Sequence, residues 1–389
     1  MTSGRLGDNA DPDPASGPQH PPEQRRPDDA SAGQPPHPAL GSGPAVTVRR
    51  VAPVELLGLL HGPTPPVLVD VRPREQRAIS HLAGDRWIPA EELSVRGHEL
   101  PRDRSIVLYC HHGGTAGRTA ELLRASGRTN VAVLDGGIDE YARLVDPTVP
   151  RYRDLPSDRL VLQQFPNLAT GCLAYLLRDR ESGEAVVVDP GREIAPYLRA
   201  LSDQNLRLRA IVETHTHADH LSGHAELHAR TDAPIWLSRR SQAHYPHRTL
   251  VDGAAIDLGG TELRILETPG HTDDHLSIRA DGAVLTGDTL LPGSCGRTDL
   301  GTGDPELLWE SLTAKLMVLP DETEVFPAHY GSRHGLPPPE RYASTIGFER
   351  RSNEALLQPS REAFLAYMTG GWPPKPTEFE RIVRTNLEE

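Results

Sequence analysis

Thr214-His215-Thr216-His217-Ala218-Asp219-His220 decides the reading of this chain. It follows the β-branched run Ala210-Ile211-Val212 and precedes a helical pattern near Leu221. On extended backbone His215 and His217 project to one side, and Asp219 and His220 fall where the chain turns toward the helix. Further on come Pro269-Gly270-His271, Thr286-Gly287-Asp288 and Pro327-Ala328-His329, each a His or Asp just after an apolar run. Loops at strand ends are where a rigid sheet gathers ligands from distant sequence. Imidazoles with carboxylates suit Zn, Fe or Mn, whereas a thiolate-rich set would point to structural zinc.

Working outward, Val161–Phe165, Cys172–Leu177 and Ala185–Val188 read as successive strands, the last closed by Asp189-Pro190-Gly191. A helix is expected through Ile194–Leu201. Another opens at Asp304-Pro305, with Leu308, Leu312 and Leu316 at four-residue spacing. Strands followed by helices, twice over, predict an αβ/βα sandwich across 159–389. Upstream, Val67–Val71, Ile106–Cys110 and Val131–Asp135 read as short buried parallel strands alternating with helices. A small α/β domain is therefore expected over 46–146, with a Pro/Arg-rich linker at 147–158. Residues 1–45 hold ten prolines and little that is large and apolar. Such a segment cannot offset its ordering entropy, and disorder is expected there.

Composition narrows the function. The 389 residues suit two domains plus extras. A net charge of −13 without a basic patch argues against nucleic acid. No apolar run approaches membrane-spanning length, and the N-terminus lacks the features of a secretory signal. Cys110, Cys172 and Cys295 are too few and too scattered for a disulfide framework, so a reducing cytoplasm is expected. Cys172 reads as a core residue of an apolar strand, and Cys295 as a packed small residue.

The HxHxDH stretch with the later His, Asp and His resembles the metallo-β-lactamase superfamily. Within it, the chain from Val161 to about Leu387 is similar to the persulfide dioxygenases. Asp179-Arg180-Glu181-Ser182, Thr286–Leu291 and above all Cys295-Gly296-Arg297-Thr298-Asp299 carry that resemblance. It implies one Fe(II), held by His215, His271 and Asp288 as a facial triad with open positions. His217, Asp219, His220 and His329 match a second metal site of dinuclear relatives, or else orient ligands and water by hydrogen bonds. The implied reaction takes a low-molecular-weight thiol persulfide, such as glutathione persulfide, and O2 to sulfite and thiol. Arg297, Thr298 and Tyr330 are candidate substrate contacts. For Arg297 an ion pair with Asp299 is an equal alternative, and Tyr330 follows His329 directly where family members usually have one residue between.

Tyr109-Cys110-His111-His112-Gly113-Gly114-Thr115 runs from a strand into a helix, a setting that stabilises a thiolate. With Val69-Asp70-Val71-Arg72 and Asp135-Gly136-Gly137-Ile138 it resembles the rhodanese domain, which implies Cys110 as a persulfide-forming nucleophile. Thr115 stands where many such loops carry Arg. Arg118, about a turn on, is the candidate substitute. Two rival readings remain: a dinuclear zinc thioester hydrolase of the glyoxalase II type, and a non-catalytic sulfur carrier or sensor. A homo-oligomer is compatible with everything in the sequence.

Overall fold

The computed structural model describes residues 48–146, 149, 151–167, 170–329, 343–375 and 377–389. The segment 1–45 and Tyr330, both subjects of expectations above, lie outside the described residues.

The first sheet has five parallel strands in the order Arg49–Val51, Val131–Leu134, Ile106–Tyr109, Val67–Asp70, Arg86–Trp87. Its inner strands are buried along their whole length, as the unbroken runs of Val, Leu and Ile require of a sheet covered on both faces. Apolar clusters lie on each face, one under the helix Gly114–Ala125 and one under Pro53–Leu60 and Gly137–Leu144.

A seven-stranded and a six-stranded sheet form the larger unit. The first runs Arg248–Leu250, Ile235–Ser238, Arg207–Val212, Glu184–Val188, Leu173–Asp179, Leu160–Pro166, Arg151–Asp154. The second runs Ala255–Leu258, Thr261–Glu267, Leu276–Ala280, Ala283–Gly287, Glu324–Pro327, Ser344–Thr345. Their facing sides share one core, including Leu160, Leu162, Val186, Val212, Leu263, Ile265 and Ile278. The outer face of the seven-stranded sheet is covered by helices Ala195–Asp203 and His224–Thr231. The outer face of the six-stranded sheet packs against Leu308, Leu312, Leu316, Phe364 and Met368. This is the αβ/βα sandwich, preceded by a small α/β domain.

Several elements depart from expectation. Within 147–158, read as linker, Arg151–Asp154 pairs antiparallel with the next strand and so extends the larger sheet. Tyr152 is buried there with Ile79 and Val161. The helix after the HxHxDH stretch begins at His224, three residues later than the sequence signalled; the Ser222 amide is taken by the Asn386 side chain and the His224 amide by the Ser222 hydroxyl. At Asp304 the side chain accepts from the Glu306 and Leu307 amides at 2.8 and 3.2 Å, a cap that starts Pro305–Glu310. The run then continues as a π-helical turn, Ser311–Leu316, keeping Leu308, Leu312 and Leu316 buried. Asp179 of the Asp179–Ser182 stretch accepts from the Glu181 and Ser182 amides and pairs with Arg159. That stretch is thus a turn built by its aspartate.

Candidate metal centre

The parallel strand Arg207–Val212 delivers the HxHxDH loop beside the end of its neighbour, Glu184–Val188. There Asp189, at φ 51°, accepts from the Thr214 amide (2.7 Å) and the Thr214 hydroxyl (2.8 Å). With its proton given to Asp189, the Thr214 oxygen can only accept from His215 Nδ1, 2.9 Å away. This leaves His215 Nε2 as the free lone pair. Burial, with His217, His275 and His271 nearby, pushes the His215 imidazole well down, toward the neutral form a ligand requires. His271 is oriented in the same sense: Nδ1 donates to the Arg297 carbonyl at 2.7 Å, and Nε2 lies 3.7 Å from Asp288 Oδ2. Ligand atoms of His215, His271 and Asp288 all lie within 4.8 Å of one another, and all three residues are buried.

Asp288 Oδ1 is buried without a hydrogen-bond partner. A buried, unsatisfied carboxylate oxygen is costly, and beside two outward-facing imidazole nitrogens it is what an ion position requires. The donor set fits a metal.

His275 is a member of this site that the sequence reading missed. Burial and His271 hold it neutral. Its Nε2 accepts the Asp288 amide at 2.9 Å, and its Nδ1 faces the Thr289 hydroxyl, whose own proton goes to the Thr268 carbonyl. It thus anchors the Asp288 backbone and touches no candidate ion position itself. A second histidine four residues after His271 was the available signal.

His217 does not join the triad. Its Nε2 lies 3.1 Å from Glu213 Oε2 and 3.2 Å from Asp189 Oδ1. Burial opposes charge on this ring, but the two carboxylates outweigh it and raise its pKa. Glu213 is itself held by the Ser222 hydroxyl (2.5 Å) and His224 Nδ1 (3.0 Å). Asp219, His220 and His329 form a second group. Asp219 accepts from His220 Nδ1 (3.0 Å), His329 Nδ1 (2.9 Å) and the Cys172 thiol (3.2 Å). Cys172 is buried as expected, but it stands just before the strand, which begins at Leu173, and forms an isolated bridge with His329.

A cavity of about 430 Å³ opens onto His215, His271, Asp288, Asp219 and His329, walled by Leu291, Leu300 and Trp372. Arg297 faces it too, with its guanidinium engaged by both carboxylate oxygens of Asp299 at 2.6 and 2.9 Å. Thr298 is buried and is not among the residues facing the cavity.

Cys110 lies elsewhere, between strand Ile106–Tyr109 and helix Gly114–Ala125, where its Sγ accepts the Ala116 amide at 3.4 Å. The amides of Ile138 and Asp139 bond the Cys110 and His111 carbonyls. Gly137, at φ 66°, makes this approach possible, since a Cβ there would lie 2.4 Å from the Cys110 oxygen. Arg118 donates to the Thr115 hydroxyl at 3.3 Å. His111 stacks on Tyr152 at 4.0 Å and 11°, and burial with His112 alongside pushes its pKa down to about 3.

Residues 168–329 match the metallo-β-lactamase superfamily and residues 52–144 the rhodanese-like domain. The chain belongs to the metallo-β-lactamase superfamily and carries a rhodanese-like domain ahead of the sandwich. Similar proteins include members with two different activities. The mitochondrial persulfide dioxygenase ETHE1 of Homo sapiens is 32% identical over 231 residues, 59% of this chain and 88% of that protein. The hydroxyacylglutathione hydrolase of Methylobacillus flagellatus is 35% identical over 214 residues, 54% of this chain and 81% of that protein. Among solved structures, ETHE1 from Myxococcus xanthus has 32% identity and a TM-score of 0.54, covering 58% of this chain and 97% of its own. The described residues include no helix long and apolar enough to cross a membrane.

Proposed function

We propose that this protein oxidises a low-molecular-weight thiol persulfide with O2, using one Fe(II) held by His215 Nε2, His271 Nε2 and the Asp288 carboxylate. The net change is RSSH + O2 + H2O to RSH, sulfite and two protons. One observation supports this reading over its rival: His215, His271 and Asp288 group their ligand atoms by themselves, while His217 Nε2 lies 3.1 and 3.2 Å from Glu213 and Asp189 instead. A two-His, one-carboxylate set with open positions suits non-haem iron. When bound, iron supplies the redox chemistry that triplet O2 requires and zinc lacks.

The chain's own residues do the rest. Thr214 and the Arg297 carbonyl fix the tautomers of His215 and His271. Leu291, Leu300 and Trp372 give the cavity a dry wall against the reacting sulfur. Asp219 and His329, joined at 2.9 Å and facing the cavity, would orient substrate and water there by hydrogen bonds. Arg297, tied to Asp299, holds the loop that carries its carbonyl. Cys110, in its amide cradle, would exchange a sulfane sulfur with the thiol pool as a persulfide. Three cysteines that form no disulfide suit a reducing cytoplasm.

The hydrolase relatives favour a second reading, a dinuclear zinc thioester hydrolase, and Asp219, Asp288 and His329 are grouped closely enough to hold another ion. Oxygen-electrode assay of iron-loaded protein with glutathione persulfide separates the two. Equal consumption of O2 and release of sulfite is expected. Inert iron protein, with thioester cleavage by a two-zinc form, would overturn the dioxygenase reading.

A further inference from the structure

The helix Phe379–Glu388 lies far along the chain from every candidate ligand, yet its Asn386 is buried against the HxHxDH loop. Its Nδ2 donates to the His217 carbonyl at 3.1 Å and to the His220 carbonyl at 2.9 Å. Its Oδ1 accepts the Ser222 amide at 2.9 Å. Both amide protons and the oxygen are thereby engaged, and the orientation is fixed, since a flipped amide would oppose two carbonyls with its oxygen. These contacts span 169, 166 and 164 residues of sequence. The loop they brace is irregular between Glu213 and His224. Without Asn386, two carbonyls and an amide at its turn would lose their partners.

The same helix is also held by the His244 amide, which donates to the Leu387 carbonyl at 2.8 Å. Phe379, Val383 and Leu387 wall a second, smaller cavity of about 110 Å³ that also touches His271, Ala218 and Thr216. The last helix thus packs against the metal loop, and the cavity it lines shares Ala218, His271 and Leu300 with the larger one.

We infer that Asn386 is a positioning residue for the metal centre: it sets the path of the loop between His215 and Ser222, and with it the approach of His215 to His271 and Asp288. This rests on the metal site proposed above but not on the reaction assigned to it. Outer partners of metal-binding groups typically govern 10–100-fold in affinity, so Asn386→Asp and Asn386→Ala should weaken metal binding by about that factor. Asn386→Asp keeps the shape and the acceptor for Ser222 while removing both donors. Arg384→Ala, on the exposed side of the same helix, is the control.

The experiment titrates metal-free full-length protein with Co(II), reading the visible absorption bands and a chelator-competition dissociation constant, with thermal melts of the metal-free forms alongside. Expected are weaker binding and altered bands in both Asn386 variants, wild-type values for Arg384→Ala, and partial recovery in a variant restoring a donor, Asn386→Gln. Unchanged Co(II) affinity and spectrum in Asn386→Asp and Asn386→Ala would overturn the inference, even if their melting temperatures fell. Should wild type itself bind no Co(II), the fault lies with the metal site instead. Should the variants not fold, hydrogen exchange of metal-free wild type decides. Residues 215–222 and the last helix should open together, and a loop that exchanges while the helix stays protected would refute the coupling.

Discussion

Gly296→Ala tests how tightly the metal centre is assembled. Gly296 lies in the Cys295–Asp299 stretch that separated one resemblance from another, and its surroundings explain why a glycine stands there. A Cβ added to it would lie 2.1 Å from the Asp288 carbonyl oxygen and 2.9 Å from His271 Nδ1, where real contacts are not closer than 3.0 Å. The Asp288 oxygen is backbone and cannot swing away, so the chain must shift by about 0.9 Å. That displacement falls on two of three candidate ligands and on the 2.7 Å bond from His271 to the Arg297 carbonyl. Misplacement of about 1 Å can cost on the order of 100-fold in rate. Oxygen uptake with glutathione persulfide should therefore fall by about that factor, with iron content reduced in parallel. Gly58→Ala is the control, because nothing lies within 4 Å of its Cβ position; it should leave uptake intact. A Gly296→Ala protein that retains wild-type iron content and uptake would show that the Asp288–Gly296 approach has no bearing on the site.

Three further outcomes are expected. His271→Ala should abolish oxygen uptake and spare sulfur transfer from a persulfide donor to thiol, while Cys110→Ser does the reverse; loss of oxidation of a supplied small persulfide in Cys110→Ser would disprove independent sites. Glu213→Gln weakens the hold on His217 and should raise zinc stoichiometry measured by metal analysis, with a lower melting temperature because a buried charged pair is broken; unaltered stoichiometry would mean that Asp189 alone restrains the ring. His111 binds a proton below about 3 when folded and near 6.5 when unfolded, so the unfolded state takes up protons first as pH falls. Its stabilising contribution is complete above about 6.5 and lost between there and about 3, so His111→Phe should flatten the acid limb of a denaturation profile.

Much of the architecture was legible because its signals are local. Runs such as Val67–Val71 and Ala185–Val188 are β-branched and short, and both appear as strands within a residue or two of their expected bounds. Asp304-Pro305 started a helix because cap and first turn are neighbours in sequence. His215, His271 and Asp288 belong to a set of His and Asp residues that follow apolar runs, here at strand ends of the two facing sheets, and it was the family resemblance that singled these three out. Other residues gave no comparable signal. Cys172 reads as core from its apolar neighbours and is buried, but nothing local signalled that its thiol meets Asp219, 47 residues on. Residues 147–158 read as linker from their prolines and arginines, yet Arg151–Asp154 within them pairs along the edge of a sheet.

What the amino-acid sequence alone determined, then, is the set of elements and the residue types at their ends, which follow from backbone propensity and burial period. Only the tertiary structure decided which nitrogen of each imidazole faces inward, that His217 turns to Glu213 and Asp189, and that Asn386 braces a loop more than 160 residues away. Those choices are hydrogen bonds between distant segments. Their energies exist only once packing has excluded water from both partners, and no local pattern encodes which partners will meet.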